Sequence, residues 1–210
     1  MPKKVWIKAD WSDPWDERKK YVTSALEAGV DGIVVTPDDV SNAKKLGNIK
    51  IISNSEESDI LYLEADSPQK AEDAISKANA EKDREVAISV KITGKEMEEK
   101  AIKAGKNADF LVTIAEDWKV IPLENLISRL QDSKAKIFAG VKSAEEAKTA
   151  VETLEVGSDG VFLDPRDKGI DEIRKSVEIL EELGSERFEL VSAKVTKVKP
   201  SGMGDRACVD

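Results

Sequence analysis

Short apolar runs alternate with longer charged segments along most of the chain. The apolar runs are nearly continuous, which is typical of parallel strands buried on both faces, and helical patterns follow most of them. The predicted strands are 4–9, 32–36, 49–53, 60–64, 86–92, 110–115, 136–141 and 160–164. The predicted helices are 15–28, 39–46, 68–80, 94–104, 122–132, 143–155 and 169–183.

Three segments of the chain repeat one order of residues: helix end, glycine, aspartate, apolar run and acidic loop. They are EAGVDGIVVTPDD (27–39), KAGKNADFLVTIAED (103–117) and EVGSDGVFLDPRD (155–167). We expect Gly29, Gly105 and Gly157 to end their helices in the left-handed conformation, which costs glycine no steric energy. The repeated unit is therefore a strand followed by a helix.

Eight predicted strands favour a (β/α)8 barrel of the TIM type. One unit is degenerate, because NSEES between the third and fourth strands is too short for an ordinary parallel crossover, which needs about a dozen residues. The alternative is an open, doubly wound sheet. No GxGxxG sequence follows any predicted strand, which is evidence against a Rossmann domain.

Three helix starts are indicated by their capping residues. Asp13 and Ser67 each precede a proline in the first turn, and Ser143 with Glu146 forms a capping box.

Composition narrows the function classes. The net charge of -9 opposes binding to nucleic acid or an anionic membrane, so we expect a small-molecule partner. The chain has no histidine, which excludes catalytic triads and imidazole chemistry. Its single cysteine, Cys208, excludes a cysteine-rich metal site and fits a reducing cytoplasm, and no metal site is predicted. Oligomeric state stays open, a homo-oligomer included.

In a barrel, chemistry belongs at the carboxyl ends of the strands. The charged residues at these predicted ends are Lys8, Asp10, Asp38, Glu64, Asp66, Lys91, Glu116, Lys142 and Asp164. Lys8 and Lys91 each interrupt an apolar strand, so either could act as a nucleophile or proton shuttle. Alternatively, their stems pack against apolar surface while the ammonium groups reach water. Asp164 could position a substrate hydroxyl or a lysine, or simply form a turn before Pro165.

Two kinds of loop are candidate ligand-binding segments. AGVKS and LDPRDKG follow the seventh and eighth strands, where barrels often bind phosphate through backbone amides. Near the C-terminus, Gly202 and Gly204 flank Met203 ahead of Asp205 and Arg206, in a loop whose backbone could approach a ligand or form a turn.

Four stretches together resemble the archaeal, type II family of 3-dehydroquinate synthases: VWIKADWSDPWDERKKYVTSALEAGVDGIVV, DWKVIPLENLI, LEVGSDGVFLDP and VTKVKPSGMGDRACVD. The resemblance implies an NAD-dependent oxidoreductase that deaminates and cyclises 2-amino-3,7-dideoxy-D-threo-hept-6-ulosonate to 3-dehydroquinate, in the shikimate route to aromatic amino acids. It also implies a further C-terminal region. We therefore expect a barrel over 1–187, with an exit strand and the start of a truncated domain over 188–210.

The residues available for this chemistry are limited by the absence of histidine. The catalytic candidates are Lys8, Asp10, Lys91, Glu116 and Asp164, and the substrate-binding candidates are Lys142, Gly202, Gly204, Asp205 and Arg206. Lys8 is assigned as proton shuttle or carbonyl-polarising cation, with Asp10 as its orienting partner. Two alternatives stay open: a barrel lyase or aldolase that forms a Schiff base on Lys91, and a catalytically silent fragment.

Overall fold

The computed structural model describes residues 3–115, 123–152 and 158–184. The strands are β1 Lys4–Ala9, β2 Gly32–Val35, β3 Lys50–Ser53, β4 Ile60–Ala65, β5 Glu85–Ile92, β6 Phe110–Ala115, β7 Lys136–Val141 and β8 Gly160–Leu163. The helices are α1 Trp15–Ala28, α2 Val40–Leu46, α3 Pro68–Ala80, α4 Lys95–Gly105, α5 Leu123–Arg129, α6 Ala144–Glu152 and α7 Asp171–Gly184, and a 3-10 turn at Pro37–Asp39 precedes α2. Every predicted strand and helix is present, most within a residue or two of the expected bounds.

The eight strands form a closed parallel barrel. Each strand pairs with the next along the chain, and β8 pairs with β1 through Gly160 opposite Lys4 and Leu163 opposite Ile7. Apolar side chains fill both the inside of the barrel and the layer between the strands and the helices. The barrel prediction is therefore confirmed, and the open sheet is excluded.

The degenerate unit lies between β3 and β4, where residues 54–59 connect two parallel strands without a helix. The connection is possible because the register is displaced: Ile60, the first residue of β4, lies opposite Ile52 near the end of β3. The chain therefore does not have to return along a whole strand. The Ser58 hydroxyl lies within 3.0 Å of the carbonyl oxygens of Ser53 and Ile60, which holds the loop closed.

The inside of the barrel is filled by large rings packed against small residues. Trp6 stacks on Phe138 with ring centroids 4.2 Å apart, and Phe110 contacts both rings. Gly160 makes this packing possible, because a Cβ there would lie 2.5 Å from the Lys4 carbonyl oxygen and 2.7 Å from the Phe138 ring.

Four aspartates connect pairs of strands at the end of the barrel where the strands begin. Asp31, Asp59, Asp109 and Asp159 precede β2, β4, β6 and β8, and each carboxylate accepts the backbone N–H of the strand before, at 2.7 to 2.8 Å. The backbone amide of each aspartate also donates to the carbonyl oxygen of the strand residue whose N–H its carboxylate accepts. We call these paired bonds the aspartate clamps. They explain the aspartate of the repeated segments, and Asp59 before β4 makes a fourth clamp although its segment lacks the glycine of the repeat.

The capping predictions were right at some helices and wrong at others. Gly29 ends α1 in the left-handed conformation with φ of 73°, as expected. Ser67 caps α3 by accepting the Lys70 amide. Gly105 is not a left-handed cap: it lies inside α4, and it is small because a Cβ would lie 2.8 Å from a Leu130 methyl. Gly157 lies outside the described residues.

The predicted cap at the start of α1 was also wrong. The Asp13 side chain makes no capping bond, and the carbonyl of Pro14 instead accepts the amides of Glu17 and Arg18. At α6 only half of the predicted box is present: the Ser143 hydroxyl accepts the Glu146 amide, but the Glu146 carboxylate accepts the backbone amide of Lys142 and not that of Ser143.

Other sequence expectations fall on residues outside the described ranges. The exit strand and the start of the truncated domain, expected over 188–210, belong to this group. Among the residues that the structure describes, no helix is long and apolar enough to cross a membrane.

Candidate active site at the mouth of the barrel

A cavity of about 620 Å³ opens at the carboxyl ends of the strands. Its lining residues are Lys8, Lys91, Ile114, Ala115, Gly140, Val141, Lys142, Glu146, Phe162 and Asp164. A larger cleft of about 790 Å³ lies at the other end of the barrel, beside Arg84, Asp109 and Arg129. We take the smaller cavity as the candidate site, because parallel barrels carry their chemistry at the carboxyl ends of the strands.

Lys8 lies at the centre of the charges on one side of this mouth. Its ammonium group is 2.7 Å from Asp10 Oδ1, an ion pair whose angle departs from ideal hydrogen-bond geometry, and 3.6 Å from Glu64 Oε1. Burial by itself lowers the pKa of Lys8, but Asp10, Glu64 and Asp164 outweigh it, so the pKa is raised above its usual value of 10.5. Lys8 is therefore a fixed cation at neutral pH rather than a neutral nucleophile.

Two further lysines line the same cavity. Lys91 lies on β5 at a position that faces the inside of the barrel, and Lys142 comes directly after β7. The ammonium group of Lys142 is exposed and lies 3.5 Å from Asp167. The mouth therefore carries charges of both signs, since Lys8, Lys91 and Lys142 line the cavity together with Glu146 and Asp164.

Asp164 lies at the end of β8 with both carboxylate oxygens engaged. Oδ1 accepts the backbone amide of Arg166 at 3.2 Å, and Oδ2 accepts the indole N–H of Trp11 at 3.4 Å. The Arg166 guanidinium lies over the Trp11 ring, 5.5 Å from its centroid. The turn interpretation of Asp164 is therefore correct, and the same carboxylate also lines the cavity.

A buried ion pair holds the loop that carries Asp10 and Trp11. The Arg18 guanidinium donates to the Trp11 carbonyl oxygen and pairs with Asp39, whose carboxylate also accepts the Thr36 hydroxyl at 2.9 Å. Arg18 and Asp39 are 8% and 4% exposed, so this pair joins α1 to the segment after β2 out of contact with water. Removing one partner of such a pair is strongly destabilising.

Tyr62 is a polar residue near the mouth that the sequence reasoning missed. It lies inside the barrel on β4, two residues before Glu64, and its hydroxyl has no partner in hydrogen-bond geometry. Burial raises the pKa of the phenol well above its usual value, Glu64 and Asp10 raise it further, and the nearby Ser89 hydroxyl opposes them only in part. The signal in the sequence was a tyrosine within the otherwise apolar run ILYL.

The loops after β7 and β8 do not offer the phosphate site expected from their position. At the start of α6 the Ala144 amide already donates to Glu172 at 2.8 Å, and the Glu146 amide donates to Ser143. After β8 the Arg166 amide is bonded to Asp164. These three amides are occupied and have carboxylates beside them, so they are not available to bind a phosphate group.

The described residues also contain no group of three or more acidic, cysteine or histidine side chains placed to hold a metal ion. Of the candidates chosen from sequence, the structure brings Lys8, Asp10, Lys91, Lys142 and Asp164 together at the mouth. Asp66 instead pairs with Lys70 on the outside at 2.7 Å. Glu116, Gly202, Gly204, Asp205 and Arg206 lie outside the described residues.

Solved structures share the fold at low sequence identity. The 3-hexulose-6-phosphate synthase of Salmonella typhimurium matches with a TM-score of 0.60 and 16% identity, covering 85% of this chain and 99% of that chain. Phosphoribosyl anthranilate isomerase of Thermotoga maritima matches with a TM-score of 0.60 and 13% identity, covering 86% and 99%.

Sequence comparison is more specific. Residues 2–180 match the family described as the 3-dehydroquinate synthase II N-terminal domain. Curated relatives named 3-dehydroquinate synthase include that of Methanopyrus kandleri, 43% identical over 100% of this chain and 60% of the relative. The relative from Methanosarcina acetivorans is 44% identical over 99% of this chain and 58% of its own length. The chain thus spans about three fifths of these relatives.

Proposed function

The chain belongs to the 3-dehydroquinate synthase II family, and from this premise we propose that it forms the barrel of an enzyme that makes 3-dehydroquinate for aromatic amino acid biosynthesis. The proposed substrate is 2-amino-3,7-dideoxy-D-threo-hept-6-ulosonate, an α-amino acid with a ketone and a methyl group at its other end. NAD, when bound, would supply the acceptor for the hydride lost from the amine-bearing carbon. Water then replaces nitrogen, and ammonium is released.

Ring closure is the part of this reaction to which the described residues are suited. A base removes a proton from the methyl group beside the ketone, and the resulting enolate carbon forms a bond to the new carbonyl carbon. The carbonyl oxygen becomes an alkoxide and takes up a proton, so atoms and charge balance. Such a reaction needs a fixed positive charge next to an oxygen that becomes negative.

Lys8 provides this charge in our proposal. Its ammonium group is held by Asp10 at 2.7 Å, and its pKa is raised, so it stays protonated through the working pH range. Placed beside the ketone oxygen, it would stabilise the enolate. Glu64 lies 3.6 Å from the same ammonium and is more exposed to the mouth than Asp10, so it is our candidate base.

The charges that line the mouth support one way of holding the amino-acid end of the substrate. Lys91 and Lys142 line the cavity and would attract the carboxylate, and Asp164 lines the same cavity and would attract the ammonium group. Because this pair of charges is complementary to a zwitterion, we propose that Lys91 and Lys142 bind the carboxylate rather than the reacting ketone.

The observation that carries the proposal is the Lys8–Asp10 ion pair inside a cavity of a chain from this family. The test is an assay of the 210-residue chain with the amino-ketone substrate and NAD, in parallel with the Methanopyrus kandleri relative as positive control. We expect NADH absorbance, ammonia and 3-dehydroquinate in equal amounts. Lys8→Met should lower kcat by about 100-fold, as expected for loss of an oxyanion-stabilising group, and Lys20→Met, at an exposed α1 position, should not.

Other outcomes would separate the alternative functions. Carbon–carbon bond cleavage without NADH, together with borohydride trapping of a keto substrate on Lys91, would establish the Schiff-base lyase instead. Turnover by the longer relative and none by this chain would show that the barrel is silent alone.

A further inference from the structure

Trp11 has a buried polar group directed at the proposed catalytic mouth. The residue lies in the loop after β1 and is only 5% exposed. Its ring packs edge-on against Tyr21 of α1, with centroids 4.8 Å apart at 75°, and the Arg166 guanidinium covers it from the β8 side. The buried indole N–H needs an acceptor, and it meets Asp164 Oδ2.

The contact matters because it determines the orientation of Asp164. The Arg166 amide by itself holds only one oxygen of the carboxylate, so the carboxylate could still rotate about the bond that joins it to the side chain. The indole N–H binds the second oxygen and fixes the carboxylate plane. Asp164 is one of the groups that keep Lys8 charged, so its orientation also affects the field at the Lys8 ammonium.

The backbone of Trp11 is in turn held by Arg18. Arg18 donates to the Trp11 carbonyl oxygen, and its own guanidinium is held in a buried pair with Asp39. The indole therefore cannot move away without disturbing a desolvated ion pair. Trp11 is therefore in contact with Asp164, Arg166 and Arg18, whereas an aromatic ring that only covers the core makes no such polar contacts.

We propose that Trp11 is a positioning residue that acts through Asp164, holding its carboxylate toward the substrate's ammonium group. The catalytic part of this inference rests on the proposed function. The contact itself does not, so the two can be tested separately.

The contact is tested by the indole N–H signals of the 15N-labelled chain, which has four tryptophans. Trp11→Phe identifies the Trp11 signal by removing it. We expect Asp164→Ala to shift that signal and to speed its exchange with solvent, while the other three indole signals stay in place. An unchanged Trp11 signal in Asp164→Ala would overturn the inference.

The catalytic role is tested by the kinetics of Trp11→Phe, which keeps a ring and removes the N–H. We expect kcat to fall about tenfold, as loss of one hydrogen bond implies, with KM within twofold of the wild type. Trp15→Phe, a half-buried tryptophan of α1, is the matched control and should leave kcat unchanged. In an Asp164→Ala background, Trp11→Phe should have no further effect.

The remaining outcomes are equally decisive. A tenfold loss that persists in the Asp164→Ala background would mean that Trp11 acts directly, and unchanged kcat in Trp11→Phe would leave it a purely structural residue; either result refutes the proposal. If the wild-type chain has no turnover, the proposed activity of this chain by itself fails, and the indole signal alone decides whether Trp11 positions Asp164.

Discussion

The aspartate clamps should account for a measurable part of the stability of the barrel, and Asp109 is the best place to test this. Its carboxylate accepts the amide of Val86 at 2.8 Å, and Val86 is 3% exposed. In Asp109→Ala the Val86 amide loses its charged acceptor, but Asp109 is exposed and lines the cleft at this end of the barrel, so water can replace part of the bond. A lost hydrogen bond to a charged group costs about 1.5–3 kcal/mol, and we expect the lower end of this range here.

This cost can be measured as a change in the free energy of unfolding. Urea denaturation of the 210-residue chain should show a lower midpoint at an unchanged m-value, and Tm should fall by about 3–6 °C for a chain of this size. Asp109→Asn keeps an acceptor oxygen without the charge, so we expect roughly half the loss.

The control is Asp13→Ala, because Asp13 is exposed and makes no capping bond to α1. Its free energy of unfolding should stay within about 0.5 kcal/mol of the wild type. Asp31→Ala breaks the clamp between β1 and β2 and should add to Asp109→Ala, since the two clamps share no partner. If Asp109→Ala were no less stable than Asp13→Ala, the clamps would be a geometric regularity without energetic weight.

Three further predictions follow from single residues. Gly160→Ala should destabilise the chain by about 3 kcal/mol or more, because its Cβ would overlap the Lys4 carbonyl and Phe138, whereas Gly94→Ala meets nothing within 4 Å and serves as its control in the same thermal melts. Tyr62→Phe should leave the free energy of unfolding unchanged or raise it by about 1 kcal/mol, since it removes an unpartnered buried hydroxyl; a loss of similar size would show that the hydroxyl is bonded in solution. Glu72 is hydrogen-bonded by two lysines of α4, which lower its pKa from 4.5 to about 2. Because the pKa of Glu72 is lower in the folded state, the stabilisation of the fold by its ion pairs is present above pH 4.5 and is lost as the pH falls through about 2. An NMR titration of the side-chain carboxyl group measures this pKa. High salt should raise it toward 4.5, because salt screens the two lysines.

The candidate site was only partly predictable from sequence. Lys8 and Lys91 were found because a charge inside an apolar strand is a local signal, and strand ends are known once strands are known. Trp11 and Tyr62 were not found, since what distinguishes them is a contact with another strand or the lack of one. The charge state of Lys8 could not be predicted from sequence either, because burial lowers its pKa while three nearby carboxylates raise it.

The sequence by itself determined the order and type of the elements, because continuous apolar runs, helical periodicity and residues such as Ser67 and Gly29 act within a few positions of the chain. Only the tertiary structure decided how these elements close. The pairing of β8 with β1, and the displaced register that lets residues 54–59 replace a helix, depend on where strands meet after folding. Gly105 shows the same division: its place near a helix end could be predicted from sequence, but the reason for a glycine there is a methyl group of Leu130, which directly follows α5 and packs against Gly105.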